Sequence, residues 1–349
     1  MPQTTSPLAE TSPANDDGSS TPTRLRLGFL TRLETGDDAA DSYRFALDLY
    51  QAAEELGYDT GWIAQHHFLN GDGRLPSVFP FLAAAAQRTR RIRLGTAIVI
   101  LPMEDPVRVA EDAAFVDTIS GGRLELGLGT GGDPLSFSAF GKDVEARREQ
   151  YAEGLRIVQE VLSGRPINGT DAVLYPPAPT VPERIWEATF SVEGGAKIGR
   201  NGSGLLLART SAHGHDPADV VQEPIAREYI HALAGRTPRV GMSRTVYAAA
   251  DRATAMADMD PGVMAWVKVL EKRGTFPPGL TRDEAYARIH IHFGHPEEVA
   301  ESVRADRLFT YATELICQVQ PGAPTKAQIL KSLELVAREV APALGWQPA

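Results

Sequence analysis

From residue 25 onward the chain alternates between short apolar, β-rich runs and longer stretches whose apolar residues recur at helical spacing, and this rhythm leaves few folds open. Strands are predicted at residues 25–30, 59–64, 92–100, 124–128, 184–188, 204–207, 239–249 and 314–319. Helices are predicted between them, as at 41–56, where Phe45, Leu49, Ala52, Ala53 and Leu56 share one face, and at 106–119, where Pro106 suits a first helical turn. Further helices are expected at 77–88, 144–162, 191–200 and 218–234, with a closing one at 325–343. Several of the strands are unbroken apolar runs, the mark of parallel strands covered on both faces. Eight strand–helix units in 349 residues fit a (β/α)₈ TIM barrel in the α/β class better than an open doubly wound sheet. Residues 251–290 are too long for one connection and are expected to form an insertion after strand seven, read as a lid over the barrel mouth in preference to plain surface decoration.

The domain is expected to span 24–349. Residues 1–23 are rich in Ser, Thr, Pro and Asp and cannot bury enough apolar surface to fold alone, so a disordered tail is predicted there. They also lack the apolar core of a secretory signal. A net charge of −10 with no basic run argues against a nucleic-acid surface. No uninterrupted apolar run reaches the roughly 18 residues a membrane span needs, and a cytoplasmic location is expected. Cys317 is the only cysteine, which excludes a disulfide framework and a thiolate cluster; its apolar neighbours predict a buried, inert thiol.

Residues 91–132 carry the densest chemistry. They read as strand, loop, helix, strand, and then the glycine-rich loop Gly129-Thr130-Gly131-Gly132. Such a loop presents bare backbone N–H groups and one hydroxyl, which suits a phosphate. It is no Walker loop, because no Gly-Lys-Ser/Thr follows. The string from Gly127 to Gly132 has the glycines of a dinucleotide fingerprint but lacks the acidic residue that should end a second strand about 20 residues on.

His66 and His67 follow the second predicted strand, on the face where barrel chemistry occurs. Adjacent residues of an extended segment point opposite ways, so only one of the two can face the mouth. That residue is either a proton-handling imidazole or a satisfied structural one. Arg147 and Arg148 open a helix and are either a solvated pair or a guanidinium fork for phosphate. Ser191 is a helix N-cap whose helix terminus would also accept an anion. His213, His215, His290 and His292 stand in i,i+2 pairs with no evident third ligand, so loop and strand roles are preferred and no metal is expected.

Together these motifs resemble the bacterial luciferase-like monooxygenases, flavin-dependent (β/α)₈ barrels. The resemblance covers residues 25–346. It is carried, in order, by Trp62-Ile-Ala-Gln-His-His-Phe68, Gly95-Thr-Ala-Ile-Val-Ile-Leu-Pro102, Asp105-Pro-Val-Arg-Val-Ala-Glu-Asp112, Ser120-Gly-Gly-Arg-Leu124 and Phe293-Gly-His-Pro-Glu-Glu-Val299. It implies that His66 is the active-site histidine, that Ala97-Ile98 is a non-proline cis peptide against the flavin ring, and that Thr130, Gly131, Arg148, Thr189 and Ser191 surround the phosphate. Two departures stand out. Gln65 occupies the place of a glutamate in the luciferase, and Thr130 that of an arginine.

The resemblance implies an FMN-dependent monooxygenase that uses oxygen and reduced flavin from a separate reductase, with His66 as acid, base or hydrogen-bonding group. Two alternatives are a deazaflavin-dependent hydride-transfer enzyme and a non-catalytic flavin-binding protein. Phe68, Phe137, Phe140, Met264, Trp266 and Phe276 are apolar candidates for lining a pocket for a small apolar substrate. The small residues around Phe81-Leu-Ala-Ala-Ala-Ala86 would allow close helix contact, as in a homodimer.

Overall fold

The computed structural model describes residues 24–34, 38–68, 75–210, 216–272, 274, 276–318 and 322–348. The expected tail and the pair His213 and His215 lie outside these. Among the described residues there are ten strands: β1 (Arg26–Thr31), β2 (Thr60–Ile63), β3 (Arg93–Thr96), β4 (Val99–Ile100), β5 (Leu124–Gly129), β6 (Ile185–Ala188), β7 (Gly204–Leu207), β8 (Val240–Ala248), β9 (His292–Gly294) and β10 (Glu314–Gln318). All pairings are parallel, and the order β10-β1-β2-β3-β5-β6-β7-β8 closes on itself because β8 also pairs with β10. β4 continues the line of β3 along β5, and β9 extends the end of β8. The result is the expected closed barrel of eight strand positions with helices between them.

Local chemistry sets the helix ends. Asp105 caps the helix Pro106–Ser120 by accepting from Val107 and Arg108 N–H, and Gly121 ends it in the left-handed region at φ 71°. Thr325 and Gln328 form a capping box at Lys326–Leu335. The predicted single helix over 325–343 breaks into that helix, a π-helical turn Val336–Val340, and the short Ala341–Ala343. Pro342 has no N–H to continue the ladder, which accounts for the change of pitch.

Side chains fill the middle of the barrel. Leu30, Trp62, Trp186, Leu206 and Ile316 form an inner cluster, with the two indoles edge to face at 5.5 Å. Each indole lies where a Cβ would stand on a neighbouring strand, at Gly95 and Gly204, so both positions require glycine. Toward the amino ends of the strands the indole N–H groups donate to buried carboxylates, Trp62 to Glu314 (2.7 Å) and Trp186 to Glu125 (2.6 Å). Arg26 reaches both carboxylates and Arg93 reaches Glu125. That end carries a buried ion-paired layer.

Several short elements were not anticipated. The helix Pro134–Ala139 precedes the expected helix, which runs Arg147–Leu162, and three-residue β9 is too short to carry an alternation signal. Residues 251–290 form the helices Arg252–Lys272 and Arg282–Ile289, which share an apolar cluster of their own with Tyr247 and Phe293. Cys317 is fully buried, and burial pushes its thiol well up, which makes it inert. Among the described residues no helix is long and apolar enough to cross a membrane.

Candidate active site at the carboxyl rim

β1 and β2 run in register with Thr31 opposite Ile63, so the residues just past both strands meet at the rim. Gln65 is buried and its amide is fully used. Its Oε1 accepts from Ile100 N–H (2.7 Å), and its Nε2 donates to Pro76 O (3.0 Å) and Glu104 Oε1 (2.8 Å). The side chain thus ties the histidine segment to the strand β4. His66 donates its backbone N–H to Leu75 O (2.9 Å), and its ring Nε2 lies 3.1 Å from Arg32 Nη2. Arg32 also pairs with Glu34 at 3.3 Å, both side chains being largely enclosed. His67 turns away from this pair. Its ring packs edge-on against Phe140 at 4.9 Å, its carbonyl accepts from Ser136 Oγ, and burial lowers its pKa. The two rings therefore have separate surroundings, as opposed directions along an extended segment require.

The predicted continuous strand over 92–100 breaks at the Ala97–Ile98 peptide, which is cis. Ala97, Ile98 and Ala188 are partly buried and pack on the inner cluster, so they form the floor of the rim above the two tryptophans. A Cβ at Gly129 would strike Ile98, and one at Gly131, at φ 62°, would strike Ile100. The glycine-rich loop thus lies directly against β4 and its preceding peptide. Thr130 is partly exposed, with its hydroxyl 3.2 Å from Gly131 O.

β6 pairs with β5 and delivers Thr189 and Ser191 to the same rim. Ser191 Oγ accepts from Gly194 N–H (3.1 Å) and caps the helix Val192–Asn201, while Thr189 Oγ1 accepts from Ser191 N–H (3.2 Å). Arg148 lies in the first turn of Arg147–Leu162; it is exposed and has no partner among the described residues. Arg147 instead donates to Val144 O (2.6 Å), a local structural contact. Both helix N-termini face the carboxyl rim, as in every βα unit. Their N–H groups, two hydroxyls, the glycine backbone and an unpaired guanidinium make a donor-rich set that fits a phosphate. The apolar floor fits a flat ring. His66, Ala97, Ile98, Thr130, Gly131, Thr189 and Ser191 are therefore gathered on one face. Arg148 joins them at that face, although no direct contact links it to Thr189 or Thr130. Arg32 and the Gln65–Glu104 link were missed in the sequence, where only the position of Arg32 directly after the first strand could have flagged it.

His290, His292 and Asp306 bring ligand atoms within 4.8 Å of one another, the third group that the sequence did not reveal. Asp306 is already engaged. The fully buried Arg244 donates to its Oδ2 at 2.7 Å and also binds Gln222, while His290 contacts Asp219 at 3.0 Å. A divalent ion would sit beside a fixed guanidinium, so the donor set suits a hydrogen-bonded, ion-paired knot better than a metal site.

The family described as luciferase-like monooxygenases matches residues 23–310. Two uncharacterized proteins of Sinorhizobium fredii are 32% identical over 204 residues and 29% over 236. These alignments span 54% and 64% of this chain but only 59% and 65% of those proteins. Limonene 1,2-monooxygenase of Rhodococcus erythropolis is 27% identical over 321 residues, 85% of this chain and 80% of that one. Among solved structures, monooxygenase RslO1 of Streptomyces bottropensis has a TM-score of 0.77 at 25% identity, covering 91% of this chain and 99% of its own. The fold is shared, at 20% identity and TM-score 0.75, with the oxygenating constituent of 3,6-diketocamphane monooxygenase from Pseudomonas putida in complex with FMN, over 91% and 98% of the two chains. It is also shared, at 19% and 0.67, with the coenzyme F420-dependent tetrahydromethanopterin reductase of Methanopyrus kandleri, over 92% and 99%.

Proposed function

Because the chain belongs to the luciferase-like monooxygenase family, and hence among oxidoreductases, we propose that it is an FMN-dependent monooxygenase acting on a small apolar organic substrate. The observation that carries this reading is the convergence of His66, the Ala97–Ile98 floor and the donor set of Thr130, Gly131, Arg148, Thr189 and Ser191 on one rim. Ala97 and Ile98 would bear the isoalloxazine, and the donor set would hold the phosphate. Bound reduced FMN, delivered by a separate reductase, supplies the electrons for oxygen chemistry. The protein's own part is orientation, exclusion of water and a hydrogen-bonding imidazole at His66. Helices 252–272 and 282–289 act in this reading as a lid over the mouth.

Of the six apolar candidates for the substrate side, Phe68 and Phe140 are exposed at 64% and 43% and stack at 5.6 Å beside His67. Phe137 and Phe276 are buried in packing, Met264 packs against the insertion's own cluster, and Trp266 does so with Arg209 over its ring at 4.1 Å. The aromatic pair at 68 and 140 is the stronger support for an apolar substrate.

Titration of the purified protein with FMN, reduced FMN and F420, followed by absorbance and fluorescence, tests the cofactor. FMN binding with oxygen-dependent turnover supports the reading. Preference for F420 with oxygen-independent hydride transfer would replace it, and tight oxidised-flavin binding without turnover would make this a flavin carrier. His66→Ala is expected to lower kcat by roughly 100-fold or more, the scale of a positioned proton-handling group, with a small change in FMN affinity. Unchanged kcat would remove His66 from the reaction.

A further inference from the structure

We propose that Arg32 is a positioning residue that fixes the tautomer of His66, holding the imidazole neutral with its single proton on Nδ1. Its consequence for turnover rests on the role assigned to His66 above; the tautomer itself does not.

A guanidinium has five N–H donors and no lone pair to offer. At 3.1 Å from Arg32 Nη2, His66 Nε2 must therefore be the acceptor. A neutral imidazole carries one proton, which this contact assigns to Nδ1, because the partner of one ring nitrogen sets the state of the other. A second proton could enter only at Nε2. There it would break the hydrogen bond and set two cations in contact. Glu34, 3.3 Å from Arg32, helps to aim the guanidinium. Two titratable neighbours among the described residues are themselves engaged or enclosed. Glu104 is engaged by Gln65 at 2.8 Å, and burial keeps His67 toward its neutral form.

The geometry is held from both sides. Thr31 pairs with Ile63 in register one residue before Arg32, and the His66 backbone N–H donates to Leu75 O, which brings the two backbones together at the contact. The chemical consequence is specific. In this proposal His66 is a neutral imidazole with its proton on Nδ1, and it does not act as an imidazolium acid delivering a proton from Nε2.

The test uses the flavin-free protein labelled with ¹⁵N-histidine, with two-bond ¹H–¹⁵N correlations recorded between pH 5.5 and 8.5 and the His66 signals assigned by loss in His66→Gln. Wild type is expected to show a protonated, pyrrole-like Nδ1 and a bare Nε2 that does not titrate in this window. Arg32→Met should release the ring, so that it titrates near the free-imidazole value of about 6.5 and populates the Nε2–H form. Arg32→Lys keeps a donor and a charge and should retain the wild-type tautomer; its retained pattern separates loss of the contact from loss of folding. In turnover, Arg32→Met should lose up to roughly 100-fold in kcat, as misplaced groups do, and gain a pH limb absent from wild type. An Nε2–H or doubly protonated His66 in wild type, or an Arg32→Met variant with the wild-type tautomer and pH response, overturns the proposal. If the tautomer responds as expected while His66→Ala leaves turnover intact, the Arg32 assignment stands and the catalytic role of His66 falls.

Discussion

At the scale of single residues, Gln65 shows how a sequence departure acquires meaning only from its contacts. Against the glutamate of the luciferase, the amide of Gln65 means one carboxylate fewer beside His66. The amide instead spans from β4 to Glu104 and needs both its acceptor and its donors. Gln65→Glu would keep the acceptor for Ile100 N–H but set a second carboxylate against Glu104, and two such groups cannot both ionise at contact distance. One must hold a proton, so its pKa rises in the folded state. The penalty is accordingly smallest at low pH and grows as pH rises through the normal carboxyl range. A loss of roughly 2 kcal/mol is expected at pH 8, less at pH 5, read from urea midpoints. Equal losses at both pH values would show that Glu104 is not the opposing group. His66 was legible by its place after a strand; its partner Arg32 was not, because the contact joins the ends of two strands whose register no local pattern encodes.

Among whole elements, legibility followed length and covering. The strands β5 and β7 are buried at every position, and their leucine-rich runs, with Glu125 as the only charged residue, announced them. The break at Ala97–Ile98 came only through family resemblance, since nothing in a run of apolar residues marks it. The helix Val192–Asn201 was anticipated with its cap because Ser191 and the following turn are a local signal. That cap gives a prediction in which structure and ligand separate. Ser191→Ala should cost about 1 kcal/mol of stability through the unsatisfied Gly194 N–H. Under the phosphate-site reading it should also weaken FMN several-fold, with no change in the apparent kcat at saturating flavin. A stability loss with unaltered FMN affinity would confine Ser191 to capping and move the phosphate elsewhere on the rim. The helix Val78–Arg88 carries a more limited message. Phe81, Leu82, Ala85 and Ala86 are spent inside the subunit, so of the run proposed for a homodimer only Ala83 and Ala84 remain accessible.

Across the whole molecule, the joint between barrel and insertion is charged where most of the core is apolar. Arg244 on β8, His292 on β9, His290 at the end of the insertion, Asp219 on the helix Ala218–Ala232 and Asp306 at the end of Pro296–Ala305 meet in one knot. Burial is the main force on His292 and lowers its pKa to about 4, with Asp306 pulling the other way. Asp306 is held well below the usual carboxylate range: burial opposes this, but His292 and Arg244 outweigh it. Both shifts act in the same direction. The unfolded chain binds a proton at His292 below about 6.5 that the folded chain refuses until about 4, so stability is full above that window and drains as pH falls through it. The expected slope is about 1.4 kcal/mol per pH unit, or roughly 3 kcal/mol in all, and protonation of Asp306 takes more at still lower pH. Equilibrium urea unfolding at pH 7, 6, 5 and 4.5 measures it. His292→Asn should flatten the slope between pH 6.5 and 4.5 while lowering stability at pH 7. Asp306→Asn should cost more, about 3–5 kcal/mol, because it leaves the Arg244 charge buried without its partner. A His292→Asn variant with the same acid slope as wild type would place the proton uptake elsewhere and leave the knot as a purely geometric joint.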